Sequence, residues 1–159
     1  MSRCYFDTNF LYLHLRAPTG AAPPAFENWR RRSIAKLALD SGVISALVLD
    51  ELAYRLVLAW LRDDGDGDPL STYRADAERV MRVTRRRLRR TWEAVDSLAF
   101  ELQPTDAKVV DQAKSLMSRP GLTPRDAFHA AHALEGDCAI IVSSDDAFDR
   151  VGGLQRLAP

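Results

Sequence analysis

Cys138-Ala139-Ile140-Ile141-Val142 is a run of five apolar residues with no polar face. Such a run has to be covered on both sides, as an interior strand of a parallel sheet is. Shorter runs of the same kind occur at residues 3–6, Val43–Ser45 and Leu98–Leu102. They alternate with longer stretches of helical spacing, the pattern of an α/β fold with a parallel sheet. Helices are expected over 8–16, from about Phe26 to Asp40 with an end near Gly42, and over Leu47–Arg62. In the last of these, Leu49, Leu52, Leu56 and Ala59 keep the apolar three-four spacing. Ser71 to about Asp96 reads as one long or two broken helices, and Thr105–Ser118 and Thr123–Glu135 as two more. Pro18–Pro24 reads as a loop, Asp63–Pro69 as an acidic glycine-rich loop, and Pro120-Gly121 as a turn.

The 159 residues suit one domain with a real core. Two cysteines, Cys4 and Cys138, are too few for a disulfide scaffold and read as buried thiols. No signal-peptide pattern opens the sequence. The longest apolar stretch, Val43–Trp60, contains Asp50, Glu51 and Arg55, which argues against a membrane span. The expected location is cytoplasmic, with no membrane partner.

Four acids stand in recognisable settings: Asp7, Glu51, Asp126 and Asp145. Ligands of open parallel sheets bind beyond the carboxyl ends of the strands. Asp7 and Asp145 each lie just past such an end, so the architecture points both at one edge. Carboxylates gathered without a basic partner repel one another, and a divalent ion between them relieves the repulsion. Metal-assisted phosphodiester hydrolysis uses such a set of acids.

Each acid also has a plain reading. Asp7 suits the N-cap of a helix starting at Thr8. Asp126 is third in a helix that Thr123 would cap and Pro124 would open. Asp145 or Asp146 could start the last helix in the same way. Glu51 is harder to explain so, because it lies early in an otherwise apolar helix and acids are rarely buried unless paired.

Taken together and in order, these segments resemble the PIN-domain nucleases, most closely the VapC-type toxin ribonucleases. The segments are Asp7-Thr8-Asn9, then Ser45-Ala46-Leu47-Val48-Leu49-Asp50-Glu51-Leu52, then Arg125-Asp126-Ala127-Phe128-His129-Ala130-Ala131-His132-Ala133. The last is Ile140-Ile141-Val142-Ser143-Ser144-Asp145-Asp146-Ala147-Phe148. The resemblance implies one PIN-like α/β domain over residues 1–159, with a central parallel sheet of four or five short strands flanked by helices. It implies that Asp7, Glu51, Asp126 and Asp145 bind one or two Mg²⁺ or Mn²⁺ for hydrolysis of RNA. Thr8, Asn9, Ser143 and Ser144 are the expected supporting groups, orienting carboxylates or water.

The resemblance further implies a toxin that dimerises and is silenced by an antitoxin covering the acidic pocket. The sequence departs from the family at Ala147, where many members carry a further Asp; Asp146 and Asp149 flank it. Of the pair Asp50-Glu51, the resemblance implies Glu51, which the family pattern places before a Leu; successive helical residues point about 100° apart, so only one of the two is expected to serve.

Seven arginines and no acid lie between Arg79 and Arg90. Arg79, Arg82, Arg86 and Arg89 share one helical face, with Met81, Leu88 and Trp92 expected opposite. That stripe could guide an RNA backbone, with affinity falling as salt rises; the plain reading is a solvated face. Asp64-Gly65-Asp66-Gly67-Asp68 lacks the glycine and glutamate an EF-hand needs at its sixth and twelfth positions. His129 and His132, one turn apart, lack the further ligands of a zinc site and read as packing or hydrogen-bonding groups, with His129 able to tune Asp126. His14 has no context. Two other classes remain: a PIN-like binding module with a decayed metal site, and phosphoryl transfer by an aspartate nucleophile. The second would call for an acid at position 9, which is Asn.

Overall fold

The structure is a computed structural model and describes residues 2–16 and 23–159. Five strands form one parallel sheet: β1 (Arg3–Phe6), β2 (Ser41–Ser45), β3 (Glu101–Gln103), β4 (Cys138–Val142) and β5 (Gln155–Leu157), in the order β3-β2-β1-β4-β5. Among the described residues seven helices accompany them: α1 (Thr8–Arg16), α2 (Pro24–Leu39), α3 (Ala46–Asp63), α4 (Pro69–Ala75), α5 (Ala77–Asp96), α6 (Ala107–Ser118) and α7 (Pro124–Glu135). A short 3₁₀ turn covers Asp146–Arg150.

The expectation of a parallel sheet of four or five strands therefore holds, and the fifth strand is the short β5. The loop expected over 18–24 lies, as far as residue 22, outside the described residues. No helix among the described residues is long and apolar enough to cross a membrane.

Strand order places the site. The chain steps outward from β1 through β2 to β3, then returns to β1's other side for β4 and β5. The carboxyl ends of β1 and β4 thus flank the point where the order reverses, the usual ligand crevice of such sheets. Tyr5 and Phe6 are fully covered, as are Ile141 and Val142, so both strands reach this point from the core. Across it, the Asp7 amide donates to the Val142 carbonyl at 3.1 Å.

Helix α7 lies across β2, β1 and β4 and packs along α6. Ala127, Ala130, Ala131 and Ala133 are fully buried, and such small side chains let a helix backbone come close to a sheet. His129 and His132 share that buried face. Helices α1 and α3 pack together, and α4 and α5 pack on α3.

Two local expectations are corrected, and one left open is resolved. Gly42 is not a helix end but lies inside β2, where an added Cβ would collide with Leu37 and meet Phe100 at 2.8 Å. Residues 98–100 are not strand, because the Leu98 and Ala99 amides donate to the Val95 and Asp96 carbonyls and extend the end of α5. The 71–96 segment is two helices, split at Asp76, whose side chain accepts from the Arg79 amide and caps α5. On α5 the buried line is Val80, Thr84, Leu88 and Val95, with Trp92 part-buried beside it. Met81 is 40% exposed, a helical step of about 100° away from Val80.

Candidate metal centre

Asp7 extends the end of β1 into the crevice, and the first turn of α1 closes round its carboxylate. The Thr8 amide donates to Oδ1 at 2.6 Å, and the Asn9 amide nitrogen donates to Oδ2 at 3.1 Å. From the end of β4, Ser143 Oγ donates to Oδ2 at 2.6 Å and itself accepts the Asp145 amide at 3.0 Å. The Asn9 amide is held in one orientation, because its oxygen accepts from Arg55 Nη1 at 2.7 Å. Arg55 in turn lies 4.3 Å over the Tyr12 ring. Three of the four expected supporting residues, Thr8, Asn9 and Ser143, therefore touch Asp7 directly. Ser144 is exposed and makes no side-chain hydrogen bond to an acid among the described residues.

Glu51 arrives from the second turn of α3. It is 8% exposed, and Asp7 4%. Its Oε2 accepts from Thr8 Oγ1 at 2.8 Å and lies 3.1 Å from His129 Nε2, while Arg125 Nε lies 3.3 Å from Oε1. Asp50, one residue earlier, is exposed and lines a groove with Leu49, Trp92 and Phe100. Glu51 thus faces Asp7 and Asp50 faces away, as the helical step requires.

His129 completes the cluster from α7. Its Nε2 is 3.6 Å from Asp7 Oδ1, and its Nδ1 is 3.0 Å from the Tyr5 hydroxyl, which lies 2.7 Å from Ser45 Oγ. Burial alone would lower its pKa, but the Glu51 hydrogen bond and the Asp7 and Glu51 charges raise it above the ordinary value. A protonated His129 donates from both nitrogens, so Tyr5 accepts from it and donates to Ser45. The expectation of acids without a basic partner is thereby corrected: the pocket holds an imidazole at its centre and a guanidinium at its mouth. The hydrogen bond expected of His129 goes to Glu51, with Asp126 adding its charge from one turn away. What sequence reading did not find was the pairing of β1 with α7 that sets Tyr5 under His129.

The two acids respond differently to this setting. Burial raises the Asp7 pKa, against the opposing pull of His129, Ser143 and Thr8. Burial pushes Glu51 upward too, but hydrogen bonds and charge from His129, Thr8 and Arg125 together hold it below its ordinary value. Behind them His132 lies parallel to Tyr5, its Nε2 3.2 Å from Thr105 Oγ1 and its Nδ1 buried without a partner. Burial, then the His129 charge, pulls His132 down to about 4.

Asp126 and Asp145 lie at the rim. Asp126, half-buried in the first turn of α7, accepts from Thr123 Oγ1 at 2.5 Å. Asp145 accepts the Ala147 amide at 2.9 Å and caps the 3₁₀ turn. Among the described residues, Asp7, Glu51 and His129 alone offer three donor atoms within 4.8 Å of one another. Asp126 and Asp145 are not brought into that trio. Beside Ala147, Asp146 is exposed, and Asp149 forms a two-pronged ion pair with Arg156 at 2.9 and 2.6 Å.

The trio fits a divalent cation by its chemistry. Two carboxylates suit Mg²⁺ or Mn²⁺, and the imidazole could join them only in its neutral form. Among the described residues no lysine or arginine pairs with buried Asp7, whose nearest basic group is His129 at 3.6 Å, so a cation would find an incompletely compensated carboxylate there.

The PIN domain family model matches residues 4–154. The chain belongs to the PIN domain family. PIN domains are generally nucleases and use divalent metal ions. Comparison with curated protein sequences gives no match. Among solved structures, the PIN domain described here is similar to a chain of VapBC2 from Rickettsia felis, bound to a DNA fragment from their promoter. The identity is 15%, covering 97% of this chain and 98% of that one, with a TM-score of 0.61. A chain of a toxin–antitoxin complex from Klebsiella pneumoniae matches at 13% identity, 97% coverage of each chain and a TM-score of 0.59. DNA-bound VapBC from Salmonella typhimurium matches at 18% identity over 99% of this chain and 100% of that one, with a TM-score of 0.56. At these identities the likeness is one of fold.

Proposed function

We propose that this PIN domain, taken as one unit over residues 1–159, is a metal-dependent endoribonuclease of the VapC type. It is the toxin of a cytoplasmic toxin–antitoxin pair and acts as a homodimer. The observation that carries the reading is the meeting of buried Asp7 and Glu51 with His129 at the point where the strand order reverses. Support for the antitoxin partner comes from the toxin–antitoxin complexes of similar fold.

Asp7 and Glu51 would hold Mg²⁺ or Mn²⁺, with Asp126 and Asp145 completing the acidic set. The bound cation supplies positive charge to the phosphate and acidifies water. The rest falls to side chains. Thr8, Asn9 and Ser143 fix both oxygens of Asp7, and Ser144 is assigned to the rim. His129 holds or releases a proton at Nε2 against Glu51. Arg79, Arg82, Arg86 and Arg89 would track the RNA backbone.

Arg87 gives that stripe its position, being bonded to Asp64 and lying 6.0 Å from the Trp60 ring centroid. Trp60 is about 14 Å along α3 from Glu51 at the helical rise. That distance supports a role with RNA flanking the cleaved bond rather than with the bond itself.

The test is Mn²⁺-dependent cleavage of structured RNAs by wild type, Asp7→Asn and Asp126→Asn. Wild type should cleave and both variants should fail; equal activity in all three would sink the assignment. Protection of the RNA by the co-expressed product of a neighbouring gene would separate a toxin from a housekeeping RNA-processing nuclease. One observation favours a second reading: His129 and Arg125 already counter the acids, as in a PIN-like RNA- or protein-binding module with a degenerate metal site. That reading requires no cleavage by wild type and no effect of Asp7→Asn on binding.

A further inference from the structure

We infer that Arg125 is the residue that grips the RNA phosphate at the Asp7–Glu51 pocket, an inference that rests on the nuclease reading above. Arg125 and His129 are four residues apart on α7 and so share one face. Both reach Glu51: His129 at Oε2, 3.1 Å away, and Arg125 at Oε1, 3.3 Å away. Their surroundings differ sharply. The His129 side chain is 3% exposed and sits inside, whereas that of Arg125 is 66% exposed and forms the solvent side of the same cluster.

The Arg125 contact uses Nε. Its two terminal nitrogens make no hydrogen bond among the described residues, and Nε is its shortest contact with Glu51. Four N–H groups in one plane are thus free at the mouth of the pocket. A guanidinium fork of this kind matches two non-bridging phosphate oxygens. A single exposed ion pair is worth little to folding and is easily exchanged for another anion. Arg55, the other guanidinium bonded to the site, is committed to Asn9 and the Tyr12 ring. The stripe from Arg79 to Arg89 lies along the far part of α3. When water adds and the P–O bond breaks, Arg125 keeps its charge throughout and transfers no proton.

The test compares Arg125→Ala and Arg125→Lys with wild type and Asp7→Asn in Mn²⁺-dependent cleavage of pooled structured RNAs. A charge-assisted fork predicts a loss of about 10- to 100-fold in kcat/KM for Arg125→Ala. Arg125→Lys should recover only part, because a point charge lacks the fork. Two readouts separate gripping of the phosphate from a role in building the metal site. Calorimetric Mn²⁺ affinity should not fall in Arg125→Ala, since a cation has been removed from Glu51. Binding of a fluorescein-labelled single-stranded RNA in EDTA should show a salt slope shallower by about 0.7.

Wild-type cleavage by Arg125→Ala, or a loss of rate matched by loss of Mn²⁺ affinity or of melting temperature, would overturn the inference while leaving the nuclease reading standing. Failure of wild type to cleave, or cleavage by Asp7→Asn, would remove both.

Discussion

Two buried carboxylates stand at opposite edges of the same sheet. Asp40 precedes β2 at the amino edge of the sheet, and Asp7 follows β1 at the carboxyl edge; their side chains are 8% and 6% exposed. Asp40 has its own cation. Lys36, four residues back on α2, lies 2.6 Å away, Ser2 donates to the other oxygen, and the Cys4 thiol donates at 3.5 Å. Lys36, followed by Ser2, holds the Asp40 pKa below its ordinary value, while burial raises that of Asp7. Burial pushes the Cys4 thiol up to about 11, so it remains a neutral neighbour. A carboxylate that folding leaves fully paired serves structure. One ringed by donors and facing only a histidine fits the cation site proposed above.

Activity should separate the two most strongly. Asp7→Asn is expected to cut Mn²⁺-dependent RNA cleavage by about a thousandfold, the scale of several kcal/mol of lost charge stabilisation. Asp40→Asn should cleave at the wild-type rate below its melting temperature. Equal losses in initial-rate assays would erase the contrast.

Next in size is a change outside both acids. Replacing Arg79, Arg82, Arg86 and Arg89 with Gln should reduce the salt slope of single-stranded RNA binding by about 3, taking about 0.7 for each phosphate contact. Mn²⁺ affinity should be untouched. An unchanged slope in fluorescence titrations would return the arginine face to plain solvation.

Stability should move in opposite directions. In metal-free protein, Asp7→Asn relieves a buried charge and is expected to raise stability by about 1 kcal/mol, a few degrees in Tm. Asp40→Asn breaks the Lys36 pair and should lower Tm. Scanning calorimetry decides, and equal signs would contradict the comparison.

The pH profile follows from the same signs. His132, lowered to about 4 from 6.5, is neutral in the fold, whereas the unfolded chain takes up its proton below 6.5. Its contribution is therefore complete above pH 6.5 and declines as the pH falls toward 4. Asp40 adds a further loss below its ordinary value of 3.8. His132→Phe should flatten the upper part of that decline in pH-dependent melting; an unchanged curve would remove His132 as its source. The smallest effect is expected at Ala99, whose φ of 53° is left-handed. Ala99→Gly should add about 1 kcal/mol or less to stability.

Much of this was legible in the chain. Strands β1 and β4 and helix α1 were expected where they form, because unbroken apolar runs and a following polar residue leave few alternatives. Glu51 was preferred to Asp50 by the family pattern, helical geometry saying only that one of the two faces the site. What was not legible depends on distance between elements. The Tyr5–His129–Glu51 chain joins β1, α7 and α3, and no spacing along the sequence encodes it. Gly42 read as a helix end because nothing local shows Leu37 and Phe100 closing over it. Leu98 and Ala99 looked like strand because their apolar character comes from capping α5, not from a ladder.

The central claim is that Asp7 and Glu51, beside His129, form a cation site while Asp40 does not. Titration calorimetry of Mn²⁺ into wild type, Asp7→Asn and Asp40→Asn tests it directly. Wild type and Asp40→Asn should bind with the same affinity, and Asp7→Asn should show no saturable heat. Undiminished binding by Asp7→Asn, or none by wild type, would contradict the account.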